Sequence, residues 1–502
     1  MSRVSAEKKE VEDYLAHHKL EACINEVINR CMHEKPSDPY KYLSLALSEF
    51  STSTKGITHL HAREIVGPRG VPTLEVEVGT EDGSSRAEAP VHDPRSPAND
   101  AQDEDEEKAE TKEEDIPPAK VLLELVDGDA SRHDGLGKLK AAAHVIETIQ
   151  ARLIELSPVN QSDIDDILKE LSPDVGANTT LCVSMAVCRA GAKIKNVPLF
   201  KHIAELAERE EMCLPVPMFS CLRGNLLAFD RISMLPTQAG TFREAVEIGS
   251  KMHASLGKVL RDHVGEGVSI GTSSDGAYVL PGVSDPEQAM MLVLSAAEGA
   301  GVRDRVQFGI DVAADAFFEN ENYNLGFKNP AADPKSDTKC NEEFLGYLRE
   351  FREKFPSIAT LEDPFAAEDI GMLHAITDEL SDQMQIALNR LPSGDSSRIA
   401  YAAEHKAGSA VVLQLSQFET ISDIIKCCAD ARERQLGILL ASGAHESATE
   451  NFIVHLATGL ASGQVKTGSA EHSAAKCNEG SRIEDLMGAE AFYAGSRFRA
   501  PF

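Results

Sequence analysis

The sequence predicts an α/β protein: an α+β domain followed by a β/α barrel, both behind a small all-α hairpin. Three observations carry that expectation. From about Leu214 onward, short apolar runs alternate with helical stretches, at a spacing that implies parallel strands joined by helical crossovers and closed into a barrel. Polar residues recur at the C-terminal end of one apolar run after another. Finally, 502 residues with 42% hydrophobic content are too many for one ordinary domain and enough to bury a large core.

Residues 1–50 read as two short amphipathic helices. Leu20, Ile24, Val27, Ile28 and Cys31 share one face, a KPSDP turn follows, and Leu43, Leu47 and Phe50 continue the pattern. Two helices cannot bury both apolar faces alone, so a hairpin of this size is expected to pair into a four-helix bundle. The segment resembles the dimerisation and docking domains of cyclic-AMP-dependent kinase regulatory subunits and ciliary scaffold proteins. That resemblance rests on Tyr14, Leu15, the run from Glu26 to Tyr40, and Tyr42-Leu43. It implies an anchoring helix of a scaffold protein as partner for residues 11–50; the competing reading is an extension that packs only on its own body.

Residues 51–56 form a polar linker, and an α+β domain is expected over 57–210. Leu74, Val76 and Val78 alternate with Glu75 and Glu77 as in a half-buried strand, so a β-hairpin opens it. From about 80 to 120 the chain turns acidic and Pro-rich, with DEDEE at Asp103 to Glu107. It has too few apolar residues to offset ordering entropy, which predicts a disordered surface insertion. Helical periodicity resumes at GKLKAAAHVIETIQARLIEL and continues through TTLCVSMAVCRAGAKIK.

Residues 211–502 carry the expected barrel, with apolar runs VQFGID, IATLED, QIALN, AVVLQL, GILLAS and GQVKTG. Asp311, Glu362, Asn389, Gln414, Ser442 and Lys466 each stand near the C-terminal end of one run, where such barrels keep their active sites. Any one of them reads equally as an ordinary strand-end residue; six in succession point to a site.

A net charge of −31 argues against nucleic acid as a partner, since phosphate binding needs clustered Lys and Arg. No apolar run approaches the roughly 20 residues that cross a bilayer, and the N-terminus has no hydrophobic signal core. A cytoplasmic protein without membrane association is expected. The ten cysteines show no CxxC spacing and read as reduced, mostly buried thiols.

HAREIVGPRGVPTLEVEV, GANTTLCVSMAVCRAGA, LPVPMF, GIDVAAD, LEDPF, SGQVKTG and RIEDLMG are similar to enolase segments in the same order. With the hairpin and the acidic insert they resemble the enolase four subfamily, associated with sperm and the flagellum. The resemblance implies a glycolytic lyase, phosphopyruvate hydratase, which dehydrates 2-phosphoglycerate to phosphoenolpyruvate. It also implies two Mg²⁺ that stabilise the enolate, a Lys as base, a Glu as acid, and pairing with itself or with other enolase subunits.

Carried over position by position, the resemblance places the metal ligands at Asp311, Glu362 and Asn389. Asn offers a neutral carbonyl where Mg²⁺ favours anionic oxygen, and the next position, an acid in the family, is Arg390. Binding is expected to be weak; alternatively the two acids serve barrel-end hydrogen bonds. The base position holds Gln414, whose amide cannot accept a proton at neutral pH. A lost base costs about 10² to 10⁴ in rate, or roughly 3 to 5 kcal/mol. Asp275 falls at the acid position, one methylene short, and Arg231 takes the place of a neighbouring Glu. The family's lid is replaced by the acidic insert. The phosphate-binding Ser-His-Arg-Ser run reads Ser442, Gly443, Ala444, His445, so Ser442 and His445 are the remaining candidates there. Lys466 matches a substrate-binding lysine, unless it pairs with Glu362 or Asp311. These losses predict a scaffold or pseudoenzyme, with weak Mg²⁺-dependent enolase activity or another lyase or sensor function as alternatives.

Overall fold

The computed structural model describes Leu15 and residues 19–48, 56–67, 70–90, 116–442 and 449–502. Tyr14, Phe50, the acidic run Asp103–Glu107, and Gly443, Ala444 and His445 lie outside the described residues. Two compact units divide the chain: residues 1–56 with Glu155–Ser157, and the remainder.

In the first unit α1 (Leu20–Glu34) and α2 (Pro39–Ser48) form the expected hairpin. Lys35 takes a left-handed conformation that ends α1, its amide bonding back to the Cys31 carbonyl. The Asp38 carboxylate accepts from the Lys41 amide at the start of α2, where Pro39 needs no donor. Only part of the predicted apolar face is covered. Val27 is fully buried and Ala46 nearly so, while Ile24, Ile28, Met32 and Leu47 stay exposed, because each helix has a single neighbour within the pair.

The second unit opens with an antiparallel sheet of three strands, β1 (His59–Val66), β2 (Pro72–Thr80) and β3 (Gly83–Glu88). The alternation along β2 holds: Leu74, Val76 and Val78 are fully buried, and Arg63 on β1 sits opposite Glu75 and pairs with it. β3 departs from expectation. Six residues assigned to the irregular insert pair instead with β2, because Gly83 (φ 103°) makes the tight turn and Ala87 finds a buried place. The sheet is backed by α4 (Ala177–Ile194), whose Cys182 thiol donates to the Leu74 and Ala87 carbonyls. Beside α4 run α3 (Gln161–Val175) and α5 (Leu199–Leu206).

Eight strands then close a barrel: β4 (Val216–Gly224), β5 (Arg231–Leu235), β6 (Gln307–Asp311), β7 (Ile358–Glu362), β8 (Gln385–Leu388), β9 (Ala410–Gln414), β10 (Gly437–Ala441) and β11 (Gly463–Gly468). Each neighbour pairs with the next, and β11 returns to β4. The barrel is not wholly parallel, as the alternation suggested. β5 runs antiparallel to β4 and β6, since residues 225–230 are too few for a helical crossover and allow only a hairpin-type return. Helices cover the outside, among them α6 (Ile421–Glu433) and α7 (Phe452–Gly459). All ten cysteines are free; seven are buried and only Cys340 is exposed. Among the described residues no helix is long and apolar enough to cross a membrane.

Candidate active site

Strand direction decides which side chains meet. Asp311, Glu362 and Gln414 are the last residues of β6, β7 and β9, and Asn389 and Ser442 follow β8 and β10 directly. Lys466 lies within β11, register-paired with Ala441. Because β5 is reversed, its first residue, Arg231, reaches the same mouth and stands opposite Asp311.

The centre of the mouth is an ion triad. The Lys466 ammonium pairs closely with Glu362 and lies 3.2 Å from Asp311. Glu362 is fully buried. Burial, then the charge of Asp311, pushes its carboxyl up to about 7, against the pull of Lys466 and Arg231. Burial acts on Lys466 the other way, but the two carboxylates outweigh it and hold the ammonium above its ordinary value.

Around the triad runs an amide chain. Asn389 donates from Nδ2 to Glu362 at 3.4 Å, and its Oδ1 accepts from Gln414 Nε2 at 3.0 Å and from Gln417 Nε2 at 3.2 Å. Asn389 is itself fixed by Asp363, whose buried carboxylate accepts from the Asn389 amide at 2.8 Å and the Arg390 amide at 3.3 Å. Asp363 adopts φ 42°, a left-handed conformation that costs a non-glycine residue energy and marks a constrained position. Burial, followed by the charge of Glu362, raises its carboxyl well above the usual range.

A second cluster occupies the β4–β5 side. Arg231 lies 3.4 Å from Asp275 and 3.4 Å from Asp230, and Arg223 pairs with Asp230. Burial alone would raise the Asp275 carboxyl, but Arg231 and the hydroxyls of Ser273 and Ser220 hold it well below the usual carboxylate range. Ser442 is buried and turns its hydroxyl to the Lys466 carbonyl at 3.2 Å. His445 lies outside the described residues.

The mouth thus gathers Asp311, Glu362, Asn389, Gln414 and Lys466, with Asp275 set beside Arg231. Sequence reasoning did not single out Gln417, Arg223 or Asp363. Gln417 had one signal, a second Gln three residues after Gln414; Asp363 had none, since an Asp after a strand-end Glu reads as solvent-facing.

The donor set does not fit a hard divalent cation. An ammonium stands between the two carboxylates, the Asn389 carbonyl is committed to two amides, and the Arg231 guanidinium stands opposite Asp311. Among the described residues no three His, Cys, Asp or Glu side chains converge as a metal site.

Comparison with known proteins agrees with the architecture. Residues 57–203 match the enolase N-terminal domain, and residues 211–502 match the enolase C-terminal TIM barrel domain. An enolase from Eimeria tenella is 33% identical over 467 residues, covering 89% of this chain and 99% of that protein. With a family match across both domains and that relative matched over nearly its whole length, this chain belongs to the enolase family.

Proposed function

We propose that this enolase-family protein is a pseudoenzyme that serves as a scaffold in a ciliary or flagellar assembly, glycolytic or structural. One observation carries the reading: the position expected for the proton-abstracting lysine holds Gln414, whose amide is spent on a 3.0 Å hydrogen bond to Asn389. Enolases are generally Mg²⁺-dependent and generally act as dimers. Here Lys466 supplies the positive charge between Asp311 and Glu362, so the Mg²⁺ site is vestigial in this reading. Asp275, ionised beside Arg231, has no proton to give at neutral pH and serves as a counter-charge. The exposed Ile24, Ile28 and Met32 of α1 supply the surface for a second copy or for the anchoring helix of a scaffold protein. That hairpin, with the acidic insert, supports placement with the enolase four subfamily of sperm and flagellum.

The test is phosphoenolpyruvate formation from 2-phosphoglycerate in excess Mg²⁺, for the wild type and for Gln414→Lys combined with Asn389→Asp. The wild type is expected at background, with turnover gained only in the double variant. Wild-type turnover near the usual enzymatic rate of about 10 s⁻¹ would overturn the proposal. A second reading, phosphopyruvate hydratase of low activity, is favoured by the convergence of Asp311, Glu362 and Lys466; slow Mg²⁺-dependent turnover abolished by Glu362→Gln would support it.

A further inference from the structure

At the end of the barrel opposite the mouth, a cleft of about 380 Å³ opens between the segment that follows α5, the last turns of α6, and the end of α7. Its position follows from chain direction. α6 leaves the mouth after β9 and returns to the far end before β10; Leu460 follows α7 just before β11; Arg209 precedes β4. None of the residues lining this cleft belongs to the site described above.

Two guanidinium groups share the cleft. Arg432 is half-buried and spends one nitrogen on the neutral carbonyl of Leu460, a bond that brings no counter-charge, although the Glu211 carboxylate lies near enough to act on it. Burial, and next to it the positive charge of Arg209, pulls Arg432 below its ordinary value. Arg209 is 18% exposed, and its Nε is buried without a hydrogen-bond partner. Its nearest carboxylate, Glu211, lies 3.6 Å away and is itself 61% exposed, so water screens that pair. Glu208 and Glu433 also line the cleft, but both are exposed at its edge. Two like charges in a partly desolvated recess repel each other. An oxyanion between them offsets that repulsion, because guanidinium forks bond paired oxygens with charge assistance. The cleft has the size of a small-molecule site and lies where the N-terminal domain meets the underside of the barrel.

We propose that this cleft binds a small, doubly charged oxyanion, either free phosphate or the phosphate of a monoester, between Arg209 and Arg432. The proposal does not depend on whether the barrel mouth is catalytically active, because its residues lie at the other end of the barrel.

Titration calorimetry of the full chain at matched ionic strength tests it, with inorganic phosphate, glycerol phosphate and chloride as probes. One saturable phosphate site per chain is expected, with chloride failing to compete. Arg209→Gln should weaken it by about tenfold or more, equivalent to about 1.4 kcal/mol. Arg432→Lys, which keeps the charge but loses the fork, should weaken it less. Without oxyanion, Arg209→Gln should unfold no earlier than the wild type, since removing one charge relieves repulsion; lost binding together with early unfolding would show a structural arginine and overturn the proposal. Tighter binding of glycerol phosphate identifies a phosphorylated metabolite as the ligand, and equal binding identifies free phosphate. No saturable phosphate binding by the wild type, equal competition by chloride, or unchanged binding in Arg209→Gln would each overturn it.

Discussion

Lys466 brings one positive charge to a place shared by Asp311 and Glu362, and the fully buried Glu362 depends on it. Replacing one partner of a buried pair leaves the other uncompensated, which typically costs 3 to 5 kcal/mol. Lys466→Met is therefore expected to lower stability by about that much in denaturant titrations near neutral pH. Mg²⁺ should then recover part of the loss in the variant while leaving the wild-type unfolding midpoint unmoved; equal stability of the two proteins would refute the triad's role. The residues of this triad were legible from the sequence because each ends an apolar run. Their pairing was legible only as one of two readings, because strand spacing alone does not tell whether Lys466 faces an incoming substrate or the two acids. Arg231 entered only through the family resemblance, not through the strand pattern. It begins a reversed strand, and a rule that searches the C-terminal ends of strands passes over it, although register places it opposite Asp311.

Among the elements, α5 carries a buried histidine that the mouth does not use. His202 is fully buried, both ring nitrogens lack a hydrogen-bond partner, and the ring lies where a Cβ on Gly191 of α4 would meet Nε2 at 2.8 Å. Burial, then the charge of Lys195, brings its pKa down from 6.5 to about 4. The unfolded chain thus binds a proton at higher pH than the folded one, and stability contributed by the neutral ring is present above 6.5 and lost as pH falls toward about 4. The span corresponds to about 3 kcal/mol. Denaturant midpoints at neutral and acid pH should therefore fall less for His202→Leu than for the wild type; parallel falls would exclude the ring as the cause. Gly191→Ala should destabilise by about 1 to 3 kcal/mol, because the new methyl also meets the backbone carbonyl of Pro158 at 2.6 Å. The helices and strands of this domain were legible from periodicity. β3 was not, since its GSSRAE sequence has one apolar residue and its pairing comes from β2 rather than from its own composition.

For the molecule as a whole, the hairpin and the enolase-like body are separate compact units, and the exposed apolar face of α1 is an interaction surface in the proposed reading. Ile24→Asp with Ile28→Asp should leave the barrel's unfolding midpoint in place and shift self-association, followed by sedimentation, to higher concentration; unchanged association would remove α1 from the interface. The alternation of strands and helices made the barrel legible, and ordered family-like segments made it specific. What escaped was the reversal of β5, decided by the length of one connection. Closure of the ring carries a consequence for biosynthesis. β4 is completed by β11, its partner across roughly half the chain, so until the ribosome has released residues beyond Gly468 the nascent barrel has two open edges, on β4 and on β10. A chain stopped anywhere before that point cannot close, and quality control will meet it as an unpaired sheet rather than as a smaller barrel.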